Sequence, residues 1–501
     1  MTRRRAINLV YFLFALLCPL AAWAELQPGD LSAAGITAVF PGSDGYSAAS
    51  APFNLRFSFA PFAVTYPKSA EDVSTIVKLG VINNLQVVAR SGGHSYIANA
   101  LGGKNGTLVI DLSNMTAISI DPSSHVATIE TGNRLGTIAV ELNNAGRALP
   151  HGTCPYVGIG GHSAFGGFGY TSRMWGLTLD TIKTVNAVLA NGTISRVTAD
   201  NYPDLFFALR GSASSFGITI SIEFETFAAP QYSIIFSYTW DLAPDTAAQA
   251  LIDFQSFAVS GESIPPEFGA GFKLVKSNTP GNVKVDVHGG WYGEEGKLDD
   301  VMKPYLDKLP PPQSNVRLGN GSYIDSVLKT GGKGTLDVSV PDKTDTFYAK
   351  SLMTSEGSPM TNEAAVSLMR YLANEGASSN TVWFMQADLF GGSNSKINQV
   401  PVDSTSFVRR DTMFTWQFYA SSANLEPPFP EEGLTFLDGA VNSIVGAMPH
   451  SWDYSAYANY LEDRLEKWQK LYYGKHYDRL KAIKKAVDPN GVFTFPTSIE
   501  E

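Results

Sequence analysis

The sequence predicts an α+β protein in which a mixed helix-and-strand region precedes an antiparallel sheet covered by helices. Three observations carry this. Between about residues 64 and 225, short apolar strands alternate with helices and with three glycine-dense loops. Beyond about Ala229 the strands lengthen and alternate, as at Tyr232–Trp240 and Lys284–His288, with helical stretches at 244–257 and 361–375. Some 477 residues remain once an N-terminal leader is set aside, more than one ordinary core accommodates.

The leader is Met1–Ala24. Arg3, Arg4 and Arg5 form a basic head, Ile7–Leu20 is an apolar run, and Ala22-Trp23-Ala24 fits a small-x-small cleavage site. It implies a secreted, extracellular protein. Four sequons, at Asn105, Asn114, Asn191 and Asn320, could then carry glycans. Residues 25–55 read as irregular. Ser69–Leu79 reads as a helix, with Glu71 and Asp72 at the end where the helix dipole favours acids. Leu85–Val88 is a strand running into Arg90-Ser91-Gly92-Gly93-His94-Ser95-Tyr96. Strands near 107–112 and 125–131 and a helix near Gly136–Ala145 lead to a second glycine loop. That loop spans 157–169 and includes Gly158, Gly160, Gly161 and His162. Strands at 183–190 and 217–225 flank the third loop, Arg210–Gly217. In the second region Pro310-Pro311-Pro312 and Pro427-Pro428-Phe429-Pro430 read as loops. From 453 a helical run is expected through Tyr460, Leu461, Leu465 and Trp468, and Asp488–Pro496 reads as a terminal turn and cover.

Charge excludes some partners. The chain has 47 acidic and 37 basic residues, and loss of the leader takes the net charge from −10 to −13. Such a surface repels nucleic acid and anionic membrane. No apolar run after the leader approaches membrane-spanning length. Cys18 leaves with the leader, so Cys154 has no partner in its own chain. An odd cysteine in a secreted chain is an inert buried hydrophobe, an intermolecular link, or a thiol with chemistry of its own.

The glycine loops point to a phosphate-bearing cofactor, because glycine lets backbone amides approach an anion closely. Three loops in one region suit an extended cofactor with a pyrophosphate. No Gly-Lys-Ser/Thr follows any of them, and no first-strand G-x-G-x-x-G is present. No Cys/His cluster has zinc-ligand spacing, so no metal is expected, and no Gly-x-Ser-x-Gly elbow supports a serine hydrolase. His125, His288, His450 and His476 sit in no constellation and read as structural, while His151 and His162 lie near the loops.

Arg90–Tyr96 resembles the flavin-attachment motif of the FAD-linked oxidases of the berberine-bridge-like group, with a PCMH-type FAD-binding domain. Gly152-Thr153-Cys154, followed by the second glycine loop, resembles the cysteine attachment of the bicovalent branch. The resemblance spans roughly residues 55–501. It implies FAD linked to His94 at the 8α carbon and to Cys154 at C6. Arg90, Ser91, Gly92, Gly93, Ser95, Gly158, Gly161, His162, Gly217 and Ile218 would line the cofactor. It also divides the chain into an FAD-binding domain at 25–228, a substrate-binding domain at 229–449, and a segment at 450–501 returning to the FAD domain.

Within that group the chain is most similar to the fungal gluco- and chitooligosaccharide oxidases. Tyr96 stands two residues after His94, where a sugar-stacking tyrosine is expected, and Thr153 lies beside the cysteine. Gln386-Ala387-Asp388 resembles a Gln-x-Asp strand lining a sugar site, and a strand places Gln386 and Asp388 on one face. Gln417 falls where a second sugar-binding glutamine is expected. Tyr457-Ala458-Asn459-Tyr460 resembles a Tyr-x-Asn-Tyr signature. The resemblance implies Tyr460 as the base that takes the C1 hydroxyl proton, with Asp388 as its acceptor; Tyr457 is the alternative base. Lys273 departs from the pattern, since it stands where the sugar oxidases carry an acidic or amide residue. It would favour acidic sugars or pair with a neighbouring carboxylate. The implied reaction converts a reducing-end sugar to its lactone and passes electrons to molecular oxygen, in a monomer. A secondary-metabolite oxidase, a sugar dehydrogenase and a non-enzymatic binding module remain alternatives.

Overall fold

The computed structural model describes residues 26–259, 264–392 and 394–501; the expected leader, Met1–Ala24, lies outside them. Ser69 starts the first long helix, its hydroxyl accepting the Asp72 N–H at 3.1 Å. The helix runs Ala70–Ile82 with Glu71 and Asp72 in its first turn. Its buried Val73, Ile76 and Val77 share a core with Ala63, Val87, Leu108 and Ile110 of a four-stranded sheet. The strands are β1 (Thr37–Val39), β2 (Ala63–Tyr66), β3 (Val87–Arg90) and β4 (Leu108–Asp111), in the order β1-β2-β4-β3. Strands β2, β4 and β3 are parallel and β1 is antiparallel.

A second sheet is antiparallel, in the order β5-β6-β10-β8-β9. It comprises β5 (Ile118–Ile120), β6 (Val126–Glu130), β8 (Ile182–Val188), β9 (Ile194–Val197) and β10 (Ile218–Glu225), while β7 (Arg147–Ala148) and β11 (Phe227–Ala228) form a small separate pair. The third sheet is the largest. It holds β12 (Ser233–Leu242), β13 (Phe268–Lys276), β14 (Val283–Trp291), β15 (Ser314–Gly321), β16 (Phe347–Ser355), β17 (Thr381–Leu389), β18 (Thr412–Ser422) and β19 (Tyr454–Ser455). All neighbours are antiparallel, in the order β15-β12-β14-β13-β17-β18-β16-β19.

Strand alternation gives this sheet two unlike faces. Phe272, Val285, Met385, Ala387, Trp416 and Phe418 pack into one core with the helices Pro244–Val259, Leu298–Leu306, Asn362–Tyr371 and Glu431–Val445. The residues between them point to the other face. Register aligns Asp286, Lys273, Gln386 and Gln417 in one row across β14, β13, β17 and β18, and His288, Gly271, Asp388 and Thr415 in the next.

The helix expected from 453 does not form. Residues 454–455 are a strand, 456–467 are turns and irregular chain, and a single wide π-helical turn follows at Gln469–Tyr473. Tertiary contacts override the helical pattern here. Asn459 Nδ2 donates to His162 O at 3.0 Å and to the Tyr457 hydroxyl at 3.1 Å, and Lys467 has a left-handed backbone with φ 54°. This segment and the helix Tyr477–Val487 bury Tyr457, Leu461, Tyr472 and Leu480 against Ile129, Leu135 and Phe216 of the first region. No helix among the described residues is long and apolar enough to cross a membrane.

The C-terminal turn is closed by a fully buried ion pair. Lys484 Nζ lies 2.6 Å from Asp488 Oδ2, both side chains 0% exposed. The ammonium also donates to Ser215 O and Phe493 O, and the carboxylate accepts the Val492 and Phe493 N–H groups. Removing one partner of such a pair leaves an uncompensated buried charge. Lys484→Met is therefore expected to cost about 3–5 kcal/mol, read as a lowered denaturant midpoint of the holoprotein.

Candidate active site

Strand β3 ends at Arg90, whose Nε donates to Asp111 Oδ2 at 2.6 Å and whose Nη1 donates to Ala49 O, so this guanidinium is occupied by protein. The chain then turns through Gly93 at φ 73°, in the left-handed region that glycine tolerates. Gly92 backs directly onto Gly158. A Cβ on Gly92 would lie 2.3 Å from Gly158 N, and one on Gly158 would lie 2.1 Å from Gly92 N. The first two glycine loops are thus one packed unit. Ser91 Oγ donates to Thr131 O and accepts the Gly160 N–H at 3.2 Å. Thr131 Oγ1 in turn donates to Thr219 O at 2.6 Å, which ties in the start of β10 beside Gly217 and Ile218. Ser95 Oγ accepts the Asn99 N–H at 3.0 Å. Gly161 faces open space, with no atom within 4 Å of where its Cβ would be.

The two loops bring His94 and Cys154 together. Donor atoms of His94, Cys154 and Asp342 lie within 4.8 Å of one another. The His94 ring stacks on Phe53 at 3.8 Å and 25°. Burial holds the imidazole pKa below its ordinary value and pushes the Cys154 thiol up, so both rest neutral. His162 supports the cysteine loop: its Nε2 accepts the Gly152 N–H at 3.0 Å, and burial pushes its pKa down to about 3. Thr153 lies against Gly331, where a Cβ would come 2.9 Å from Thr153 O. Two neutral nucleophiles, side by side beside a glycine cradle, fit the edge of a flavin ring. Three such donors could also take a cation, an arrangement the spacing in sequence does not signal.

The polar face of the large sheet supplies the rest. Gln386 Nε2 donates to Asp388 Oδ1 at 2.7 Å, and the Tyr460 hydroxyl donates to Asp388 Oδ2 at 3.3 Å. Burial pushes the Asp388 pKa up to about 7. Burial, then the Asp388 charge, raises Tyr460 well above its ordinary value. Gln417 Nε2 donates to the Tyr96 hydroxyl at 2.7 Å, and the Tyr96 and Tyr460 rings lie nearly parallel, centroids 6.1 Å apart. Tyr457 is placed differently. Its hydroxyl accepts the Gly167 N–H at 2.9 Å and the Asn459 amide, and its ring is 2% exposed. Those donors fix Tyr457 as a buried support of the second glycine loop and leave Tyr460 as the tyrosine bonded to Asp388. Lys273 has no carboxylate within ion-pairing distance among the described residues. Its ammonium lies over the Phe384 ring, 4.7 Å from the centroid, and burial lowers its pKa.

Several residues at the site carry no sequence signal. Asp342 comes from an irregular loop before β16. Asn54 joins the two regions, its Nδ2 donating to Tyr96 O at 2.7 Å and to Phe347 O at 2.9 Å. His288, set aside above as structural, stands across Gly271 from Asp388. A Cβ on Gly271 would lie 3.2 Å from Asp388 Oδ1 and 3.5 Å from His288 Cε1. Alternation along β14 places His288 on the polar face, where its Nδ1 lies 3.6 Å from Asp286 Oδ2 of the same strand.

A glycine-lined cradle, paired imidazole and thiol, and a facing tyrosine–carboxylate pair define a flavin-linked oxidoreductase. A family model described as FAD binding domain matches residues 61–198, and one described as berberine and berberine like matches residues 456–500. The chain is 35% identical over 462 residues to the xylooligosaccharide oxidase of Thermothelomyces thermophilus, covering 90% of this chain and 89% of that protein. It is 34% identical over 483 residues to the carbohydrate oxidase of Microdochium nivale, covering 94% of each. Among solved structures, a chitooligosaccharide oxidase superposes with a TM-score of 0.87 at 31% identity, over 94% of this chain and 98% of the other. The glucooligosaccharide oxidase of Acremonium strictum, studied for its 6-S-cysteinyl, 8α-N1-histidyl FAD, superposes with a TM-score of 0.86 at 31% identity, with the same coverage. The chain belongs to the berberine-like family of FAD-linked oxidases and is an FAD-dependent oxidoreductase with the PCMH-type fold.

Proposed function

We propose that this protein is a secreted, monomeric oligosaccharide oxidase that converts the C1 hydroxyl of a reducing-end sugar to the lactone. His94 and Cys154 would hold FAD through its 8α carbon and C6, and the bound flavin would supply the acceptor for the C1 hydride and a route for the electrons to oxygen as hydrogen peroxide. The observation that carries this is the Tyr460–Asp388 hydrogen bond on the same sheet face as Gln386 and Gln417, in a fold whose relatives are named for oligosaccharides.

The residues divide the work. The Tyr460 oxygen takes the C1 hydroxyl proton as its own proton passes to Asp388 Oδ2, so no free tyrosinate is needed. The Gln386 donor keeps Asp388 turned toward the tyrosine. Tyr96 offers a ring for stacking, with its hydroxyl fixed by Gln417. Lys273 adds a cation to the same face, which a carboxylate on a sugar would meet. The four sequon asparagines are exposed, as glycan attachment requires.

The test is a panel of neutral and uronate-bearing oligosaccharides with peroxide detection and product analysis. Lactone or aldonic acid formed with stoichiometric peroxide supports the reading, and no turnover on any sugar ends it. Turnover with a quinone but not with oxygen makes the protein a dehydrogenase. The aromatic set Phe347, Phe384 and Tyr419 around Tyr96 favours a second reading, an oxidase of aromatic secondary metabolites. Turnover of such compounds alone would select it. Secretion is read from culture supernatant and from a mature N-terminus at Glu25.

A further inference from the structure

The loop before β16 reaches from the large sheet to the attachment site. Leu336 O would lie 2.4 Å from a Cβ on Gly136, and Gly331 backs onto Thr153 and Pro155. Asp342 sits on this loop, and its two carboxylate oxygens are used differently. Oδ1 accepts the Lys333 ammonium at 2.7 Å and the Lys343 N–H at 2.9 Å. Oδ2 is buried, has no other hydrogen-bond partner, and lies 3.4 Å from His94 Nε2. That nitrogen is itself buried and otherwise unpartnered. Phe53, stacked on the imidazole, fixes the plane in which the two atoms face each other.

We propose that Asp342 is a positioning residue for covalent flavin attachment: it holds the proton of His94 on Nε2 and so presents the Nδ1 lone pair as the nucleophile. The inference rests on the histidyl linkage proposed above and concerns how it forms. A carboxylate can only accept, so a neutral imidazole facing it carries its proton on Nε2. Nδ1 has no protein partner among the described residues and is left free to react. Burial, which keeps the imidazole neutral, preserves that lone pair.

The step balances as follows. A bond forms between His94 Nδ1 and the 8α carbon, and one C–H bond of that methyl group breaks. The imidazole also gives up its Nε2 proton. The two protons and two electrons together reduce the ring system, and molecular oxygen, the co-reactant, reoxidises it to give hydrogen peroxide. As the bond forms, positive charge develops on the imidazole, and Asp342 Oδ2 is the group placed to meet it. Lys333 and the Lys343 amide keep the carboxylate from turning away.

The test uses the full chain, expressed with FAD available, then denatured and proteolysed. Flavin on each peptide is read by fluorescence and mass. Wild-type protein is expected to give a flavin cross-link between the His94 and Cys154 peptides. Asp342→Ala is expected to lower occupancy at His94 at least about 10-fold while Cys154 keeps its flavin, and Asp342→Glu is expected to restore part of the histidyl link. If Asp342→Ala does not fold, Lys333→Gln decides, with an expected slowing of histidyl attachment at unchanged circular dichroism. Wild-type occupancy at His94 in the folded Asp342 variant, or an unchanged rate in Lys333→Gln where that variant decides, overturns the inference. Wild-type protein with no covalent flavin at all overturns the linkage proposed under the function instead.

Discussion

Tyr460→Phe is expected to lose about 10²–10⁴-fold in the rate of flavin reduction while the protein stays yellow. The substitution removes one oxygen and keeps the ring. The ring contacts with Tyr96 and Tyr457 therefore persist, and the loops that hold the cofactor are untouched. What disappears is the one hydroxyl that, among the described residues, donates to Asp388 Oδ2 and can also receive a proton from the proposed substrate hydroxyl. Anaerobic stopped-flow reduction at 450 nm separates this step from reoxidation by oxygen. Tyr457→Phe is the informative contrast. It removes an acceptor from the Gly167 N–H, so it should act through the glycine loop and stability, with a smaller effect on the reductive rate. Equal losses in both variants would remove the distinction drawn here, and unchanged reduction in Tyr460→Phe would remove the tyrosine from its role.

The second large effect is a pH dependence centred on Asp388. Burial raises this carboxyl to about pH 7, far above a free aspartate. The proton acceptor must be ionised, so the protonated form below that pH is inactive. The kcat/KM profile is therefore expected to rise with pH through about 7 and to level above it. In the acid limb each unit of pH should cost about tenfold. Asp388→Asn cannot accept a second proton at any pH. It should lose about 10²–10⁴-fold and lose the acid limb with it. A wild-type profile flat between pH 5 and 8 would show that Asp388 does not gate the reaction. Stability moves in the same sense as the raised pKa dictates. The folded state binds a proton at Asp388 that the unfolded chain has released, so this group adds stability below about pH 4. That contribution fades as pH rises through about 7.

Much of the site follows from local rules that a sequence displays directly. Gln386 and Asp388 share a face because a strand has period two, and Lys273, Asp286 and His288 follow the same rule on their own strands. Glycines at 92, 93, 158 and 161 mark where backbone must run close to backbone or to a bound group. With Cys18 inside the expected leader, Cys154 is left as an odd cysteine by arithmetic alone, and the residues around His94 give it a partner. Lys484 and Asp488 are four apart on a helix end, but nothing in their spacing says that the pair is dry.

Other facts depend on how distant segments meet. Tyr457 and Tyr460 are three apart in a sequence that reads as one helical stripe. The chain there is irregular because Asn459 and the Tyr457 hydroxyl bond into the second glycine loop, and those bonds assign the two tyrosines opposite surroundings. Lys273, expected to favour acidic sugars or to pair with a neighbouring carboxylate, ion-pairs with neither Asp286 nor Asp388, and its ammonium lies over Phe384 of the adjacent strand. Asp342 lies in a loop whose composition is that of any exposed turn, and its place beside His94 comes from the path of that loop across Thr153 and Gly136. Periodicity and glycine placement thus determined the mixed helix-and-strand fold class and the glycine loops, and the resemblance of Gln386-Ala387-Asp388 pointed to the strand that faces the site. Tertiary structure decided which tyrosine meets the carboxylate, what the lysine touches and what stands behind the histidine, because those contacts join segments tens to hundreds of residues apart and no local pattern encodes their distance.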